Sequence, residues 1–477
     1  MIHRHNVDFW LEEYFVSGFN VILPTLLIKL GIPQSGAVWP AAAFALVTAA
    51  FLLPFGRLSD KYGAYPIFIF GLTWFCVWSV IAGFSTNELM LDFCRALQGL
   101  GPSAFLPSGV ALMGNMYRPG PRKNLVFSLY GGSAPLGFFF GVFIAGLTGQ
   151  FLQFGWYFWI GALLLSTTTV AAILTVPNDF QEHKKMTVEM DWLGSALIVS
   201  GLVLVVFAFT DSAGAPSQWR TPYIYVLLVL GSILLGLAVY VEGFVAKNPL
   251  LPFDLFSIPY INPLFIALFF SYGCLGIFLL YGTLYMQDIM GAGPLQVSAW
   301  FSPMCVGGIV ISILGGYVLH LIPGTALVVV AGLGWVIPSV LFAVAPPGAN
   351  YWAYVFPSML CATIGIDITF NVANIFITTN LSSKRQGLAG ALINSLLYLG
   401  IAVLLAFAGF VQTETESLGL KRSYQNVFWY QLACAATALV VMAGFVRLRK
   451  AESGLTVDEK EALATQDTPV LFRARTS

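Results

Sequence analysis

The feature that most constrains this chain is a succession of long apolar blocks separated by short polar joints. The blocks fall near 14–30, 38–56, 66–84, 89–114, 124–147, 155–176, 192–210, 223–242, 262–287, 295–318, 325–345, 351–379, 386–411 and 425–447. A helix rising 1.5 Å per residue needs about 20 apolar residues to cross the hydrocarbon core of a bilayer. The spacing therefore predicts an all-α membrane protein with fourteen spans. Charged residues make up 9% of the 477 residues, against roughly 25% in a soluble globular domain, which excludes a water-soluble enzyme. Lys plus Arg (22) balances Asp plus Glu (22), so net charge points to no nucleic-acid partner.

An even number of spans returns both termini to one side. With the N-terminus in the cytoplasm, seventeen of the 22 basic residues fall on inside segments, among them Arg57, Lys61, Arg118, Arg122, Lys384 and Arg385. Lys29, Arg220, Lys421 and Arg422 fall outside, and Arg95 lies within a span. The bias follows the positive-inside rule and predicts two cytoplasmic termini. Aromatic clusters at Trp156–Trp159, Tyr351/Trp352/Tyr354 and Trp429/Tyr430 mark span ends, where such rings favour the interface. The first 13 residues lack a signal-peptide pattern, so the first span is expected to remain as an anchor. Six cysteines lie within spans at no metal-ligand spacing and read as small buried residues. The sequon Asn380-Leu-Ser382 falls on an expected cytoplasmic joint, where it would stay unused.

The polar joints at Pro177–Asp191 and Ala246–Tyr260 divide the chain into a six-helix bundle (1–176), an inserted two-helix segment (177–250), a second six-helix bundle (251–447) and a charged tail (448–477) expected to be disordered. Paired bundles that rock about a site between them are a transporter pattern. A trace of internal repetition pairs Gly56 and Asp60 with Gly316 and His320, at the same spacing of four.

Three motifs carry a resemblance. Gly56-Arg-Leu58-Ser-Asp60-Lys61-Tyr-Gly63, between spans two and three, resembles the loop motif of the major facilitator superfamily, although Ala64 and Tyr65 follow where two basic residues are usual. Here Gly56 permits close helix approach, Gly63 a tight turn, and Asp60 an ion pair or a helix cap. Arg95-Ala-Leu-Gln98-Gly99-Leu-Gly101 in span four is similar to a second element of that superfamily. An arginine at this depth marks function by default, unless Asp92, three residues earlier on the same face, simply neutralises it. Gly131 to Gly141 in span five, with Pro135 and Gly137, resembles a drifted antiporter motif in which Ala134 and the pair Phe138/Phe139 replace glycines. Its proline and glycines suit a bend and a tight seam between the halves. With further matches at Tyr14–Asn20, Asp191–Gly194 and Pro249–Phe256, the chain looks like the 14-spanner drug:proton antiporter family, most like fungal members of the aminotriazole-resistance type. The resemblance implies proton-driven export of a drug or secondary metabolite.

Span twelve carries Asp367, Asn371 and Asn374 at i, i+4 and i+7, on one helix face. A carboxyl in mid-span exchanges a proton as its access to water changes, so Asp367 is the expected proton site, with Asn371 and Asn374 orienting it or the cargo. The other reading is a structural network joining helices. Asn20 and Asn394 are secondary candidates, and Glu12 and Glu13 sit at the cytoplasmic entrance of span one, where they suit solvation as well as function. The many phenylalanines, 40 in all, suit apolar cargo held by non-directional burial.

The function so predicted is secondary active export of small hydrophobic or amphipathic molecules in exchange for protons. Its partners would be the cargo, protons and lipid; a monomer is expected in the plasma membrane, with the vacuolar membrane as the second location. No cofactor or metal is called for. An importer or facilitator of a polar nutrient or ion is the competing transporter reading. An intramembrane enzyme is the reading from another class, but no HExxH, GxSxG or Walker motif occurs and no histidine lies in mid-span.

Overall fold

The computed structural model describes residues 7–116, 121–178, 189–215, 217–318, 321–346, 348–381, 386–448 and 450. Gly316, the expected counterpart of Gly56, lies within them, but His320, the expected counterpart of Asp60, the residues Arg118, Lys384 and Arg385, the sequon's Ser382 and nearly all of the tail lie outside. Among the described residues fourteen long helical segments follow one another: α1 (Val7–Leu30), α2 (Trp39–Tyr62), α3 (Ala64–Ala82), α4 (Glu88–Met116), α5 (Pro121–Phe151), α6 (Gly155–Thr175), α7 (Trp192–Asp211), α8 (Pro222–Tyr240), α9 (Ile261–Leu284), α10 (Pro294–Trp300 and Ser302–Val318), α11 (Gly324–Ala343), α12 (Phe356–Thr379), α13 (Gln386–Thr415) and α14 (Leu420–Phe445). No strand occurs among the described residues. The break in α10 has a local cause: Pro303 has no N–H to continue the ladder across Phe301. Asp191 caps α7 through the Gly194 N–H at 2.8 Å.

Thirteen of these helices are long and apolar enough to cross a membrane. The exception is α4, whose 29 residues include Glu88, Asp92 and Arg95 along with two prolines. It nonetheless packs along both α2 and α3, and 29 residues span roughly 43 Å. The pairings α1–α5, α2–α4, α3–α4 and α3–α6 recur as α9–α13, α10–α12, α11–α12 and α11–α14. The two sets of six helices meet along two seams, α2 with α13 and α5 with α10, while α7 and α8 pair with each other and α7 rests on α2 and α13. Burial follows this plan: 78% of the most apolar window is buried in α1 and α9, but 22% in the α8 span. Large apolar side chains such as Leu163, Leu174, Ile233 and Val440 point outward, as expected where the solvent is lipid.

Four of the six cysteines are buried, but Cys76 and Cys361 are only partly so; all six are free.

Candidate functional site

A central cavity lies between the two sets of helices, and small residues on α1 and α5 set its wall. A β-carbon on Gly137 would stand 2.5 Å from the Trp10 Cα, one on Gly141 2.7 Å from the Tyr14 Cα, and one on Gly18 2.6 Å from the Gly141 carbonyl carbon. The backbones of α1 and α5 therefore touch. The Ser17 hydroxyl reaches the Phe138 carbonyl at 3.0 Å. Tyr14 and Tyr157 donate to each other's backbone carbonyls at 2.8 and 2.9 Å, pinning α1 to α6. Across the seam, Cys305 Sγ lies 3.4 Å from the Pro135 carbonyl, and a β-carbon on Gly308 would stand 3.1 Å from both the Pro135 ring and Asp367 Oδ2.

The larger chamber has an empty volume of about 910 Å³, part of it open to solvent. Its polar walls are Glu12, Glu13, Asp367, Asn371 and Ser312, set among apolar residues that include Pro135, Phe138 and Phe370. Glu13 and Asp367 come from opposite sets of helices and face the same space. No protein donor reaches either carboxyl among the described residues. The Nδ2 of Asn371 is turned back onto the Asp367 carbonyl at 2.8 Å, and that of Asn374 onto Phe370 at 3.0 Å. Asn371 lines the chamber, but Asn374 does not.

A second chamber of about 380 Å³ adjoins it and shares Val16, Leu279 and Ile401 with it. Its polar walls are Arg95, Asn20 and Tyr398. Arg95 does not pair with Asp92, as the i, i+3 spacing allowed. Its Nη1 donates to Gln98 Oε1 at 3.0 Å and its Nε to the Pro40 carbonyl at 3.3 Å. Gln98 in turn donates to the Ser79 hydroxyl at 2.9 Å, so it holds Arg95 from behind. The guanidinium lies 4.0 Å from the Phe19 ring centre and 4.3 Å from that of Phe44. Asn20 Nδ2 bonds to Val16 of its own helix at 2.8 Å.

The larger chamber lies toward the end of the bundle at which α1 begins, with Glu12 and Glu13, whereas the smaller one lies deeper, against the first turns of α2 at Ala41, Phe44 and Ala45 and against Arg95 near the start of α4. At the other end the two sets of helices are joined by Gln287 Nε2 to the Val21 carbonyl at 3.0 Å, Ser298 to the Val142 carbonyl at 2.6 Å, and Leu295 N–H to Gln150 Oε1 at 3.2 Å. Tyr424 donates to Asp288 there at 2.8 Å and lies 3.4 Å from Gln34 Oε1.

The loop between α2 and α3 sits at the α1-start end. Gly56 faces Ala391 of α13 and Pro107 of α4 at ordinary contact distances. Arg57 and Asp60 approach at 3.9 Å, and Asp60 Oδ1 lies 4.0 Å from the β-carbon position of Gly387, in the first turn of α13, where a carboxylate suits the helix dipole. Lys61 lies 5.9 Å from the Trp192 ring centre of α7. Gly63 ends α2 and begins α3 with φ 97° and ψ 149°. Gly63→Val is expected to cost about 1–3 kcal/mol, because only glycine occupies that region without strain. A thermal melt in detergent checks it, and an unchanged midpoint would mean the turn relaxes freely.

Sequence reasoning treated Glu12 and Glu13 as equally suited to solvent, and did not single out Tyr398. Glu12 is 3% exposed and Tyr398 1%. No local signal separated them from ordinary span residues.

Against this geometry, residues 9–405 match the family model for the Major Facilitator Superfamily. The chain belongs to that superfamily. Other major facilitator proteins share much of its length. It is 32% identical to the low affinity ammonium transporter of Saccharomyces cerevisiae, over 91% of this chain and 85% of that one. It is 31% identical to the efflux pump terJ of Aspergillus terreus (89% and 83%) and 28% identical to the aminotriazole resistance protein of S. cerevisiae (94% and 87%). Among solved structures, a peptide transporter in complex with sulfate superposes with a TM-score of 0.65 at 16% identity, covering 94% of each chain, which speaks to the fold alone. The family and its relatives' names indicate a multi-pass membrane transporter.

Proposed function

We propose that this transporter exports small hydrophobic or amphipathic organic molecules in exchange for protons, by alternating access to the central cavity. The observation that carries the reading is the larger chamber: carboxyls from both sets of helices, Glu13 and Asp367, face one mostly apolar space without a protein donor. Apolar walls suit varied cargo through burial, and unpartnered carboxyls suit proton exchange. Residues 1–176 and 251–447 act as the two rocking bundles, with 177–250 as an insert. The bonded end around Gln287 and Ser298 is the closed gate of this state, and the Gly56–Gly63 loop with Pro135 and Gly137 works at the opposite gate. Both termini are cytoplasmic, and the protein works as a monomer in the plasma membrane. The relatives named as efflux pumps support the direction of transport.

The relative named as an ammonium transporter favours a second reading, import of a small cation held by the same carboxyls. One experiment separates the two. The chain is expressed in an efflux-deficient host, and accumulation of an apolar drug panel and of methylammonium is measured with and without a protonophore. Export predicts lower drug accumulation that the protonophore restores. Higher methylammonium uptake with unchanged drug levels, at confirmed surface expression, would replace export by import.

A further inference from the structure

The smaller chamber contains polar groups that the protein itself leaves unsatisfied. Arg95 is 1% exposed, and every contact it makes is with a neutral group: a backbone carbonyl, the Gln98 amide and two phenylalanine faces. Its Nη2 makes no hydrogen bond, and the ion pair of Arg57 with Asp60 is the only one among the described residues. Tyr398, also 1% exposed, comes from α13 on the other side of the cavity, and its hydroxyl has no partner. Both side chains line the same space, along with Asn20. A buried guanidinium without an anion, beside an unpaired buried hydroxyl, is a costly arrangement that a bound carboxylate would relieve.

We propose that this chamber is an anion subsite, in which Arg95 and the Tyr398 hydroxyl hold the carboxylate, enolate or phenolate of a weak organic acid. The cargo's ring or chain extends through the shared neck at Val16, Leu279 and Ile401 toward the larger chamber. The smaller chamber needs to take only the anionic head group, since its space is continuous with the larger chamber at the shared residues. The two donors belong to different sets of helices, so an anion held by both ties α4 to α13 and favours closure around the cargo. The carboxyls of the larger chamber stay free for protons, so charge and proton occupy separate compartments. This subsite rests on the reading of the chain as a carrier of small organic molecules.

The test uses the purified full chain and three ligands sharing one ring system: 1-naphthoate, 1-naphthamide and 1-naphthylmethylammonium. Calorimetry is expected to show the carboxylate binding at least about tenfold more tightly than the amide, the scale of hydrogen bonds to a charged group. Arg95→Gln removes the preference. Tyr398→Phe, which deletes one hydroxyl with no protein partner to lose, lowers the carboxylate-to-amide ratio about fivefold, and it keeps the test decisive where Arg95→Gln fails to fold. Equal affinities for carboxylate and amide, or a ratio unmoved by Tyr398→Phe, would overturn the subsite. Proton-driven flux in proteoliposomes separates the two claims. Carboxylate that binds through Tyr398 but is not moved leaves the subsite standing and export refuted, whereas flux of neutral drugs without acid preference does the reverse.

Discussion

Asp367→Asn is expected to reduce gradient-driven transport to the level of empty vesicles, while exchange of labelled for unlabelled cargo, with no gradient, continues. The side chains are nearly isosteric, and Asp367 accepts no hydrogen bond on its carboxyl, so the amide removes the exchangeable proton with little effect on packing. The neighbouring contacts, from Gly308 of α10 and from the Asn371 amide on the Asp367 backbone, do not depend on the charge. Glu13→Gln is the companion measurement, since Glu13 faces the same space from α1. If driven flux through Asp367→Asn equals that of the parent while Glu13→Gln abolishes it, the proton site lies on α1. If both variants retain driven flux, proton coupling through this chamber is wrong. Loss of exchange as well as driven flux would make Asp367 a structural or cargo-binding residue.

The second large effect is on folding. Gly137→Leu is expected to abolish the monodisperse protein, at or above the ~1–3 kcal/mol typical of an overpacked core. Its first side-chain carbon would stand against the Trp10 backbone, which is part of a helix and cannot rotate aside. Gly132→Leu, one and a half turns earlier on α5, is the control, because nothing lies within 4 Å of its β-carbon position. Size-exclusion chromatography and melting in detergent read both variants. A Gly137→Leu protein that melts with the parent would refute the close approach of α1 and α5.

The helices were legible because apolar blocks and bilayer thickness constrain each other; only α4 falls below the hydropathy of the rest, since it carries Glu88, Asp92 and Arg95. Asp367 with Asn371 was legible from a one-turn spacing. Asn374 was not, because seven residues carry it about 10 Å along the axis, beyond the chamber wall. Arg95 stood out by its depth, but its partner stayed open: spacing allows both Asp92 and Gln98, and only the packing of Ser79, Phe19 and Phe44 selects Gln98. Glu13 and Tyr398 depend wholly on which helices face them. A glutamate two turns into a span looks like an interface residue until α5 and α12 are placed opposite it.

The α7–α8 pair makes the two flanks of the protein unequal toward the lipid. It lies over the α2–α13 seam, so that approach from within the leaflet is shielded. The α5–α10 seam has no such cover among the described helices, and Leu136, Phe140, Val306 and Val310 stand exposed along the two helices that form it. The bilayer therefore meets a protein with one flank sheathed by an extra helix pair and one left bare, where lipid tails lie directly against the seam between the two sets of helices.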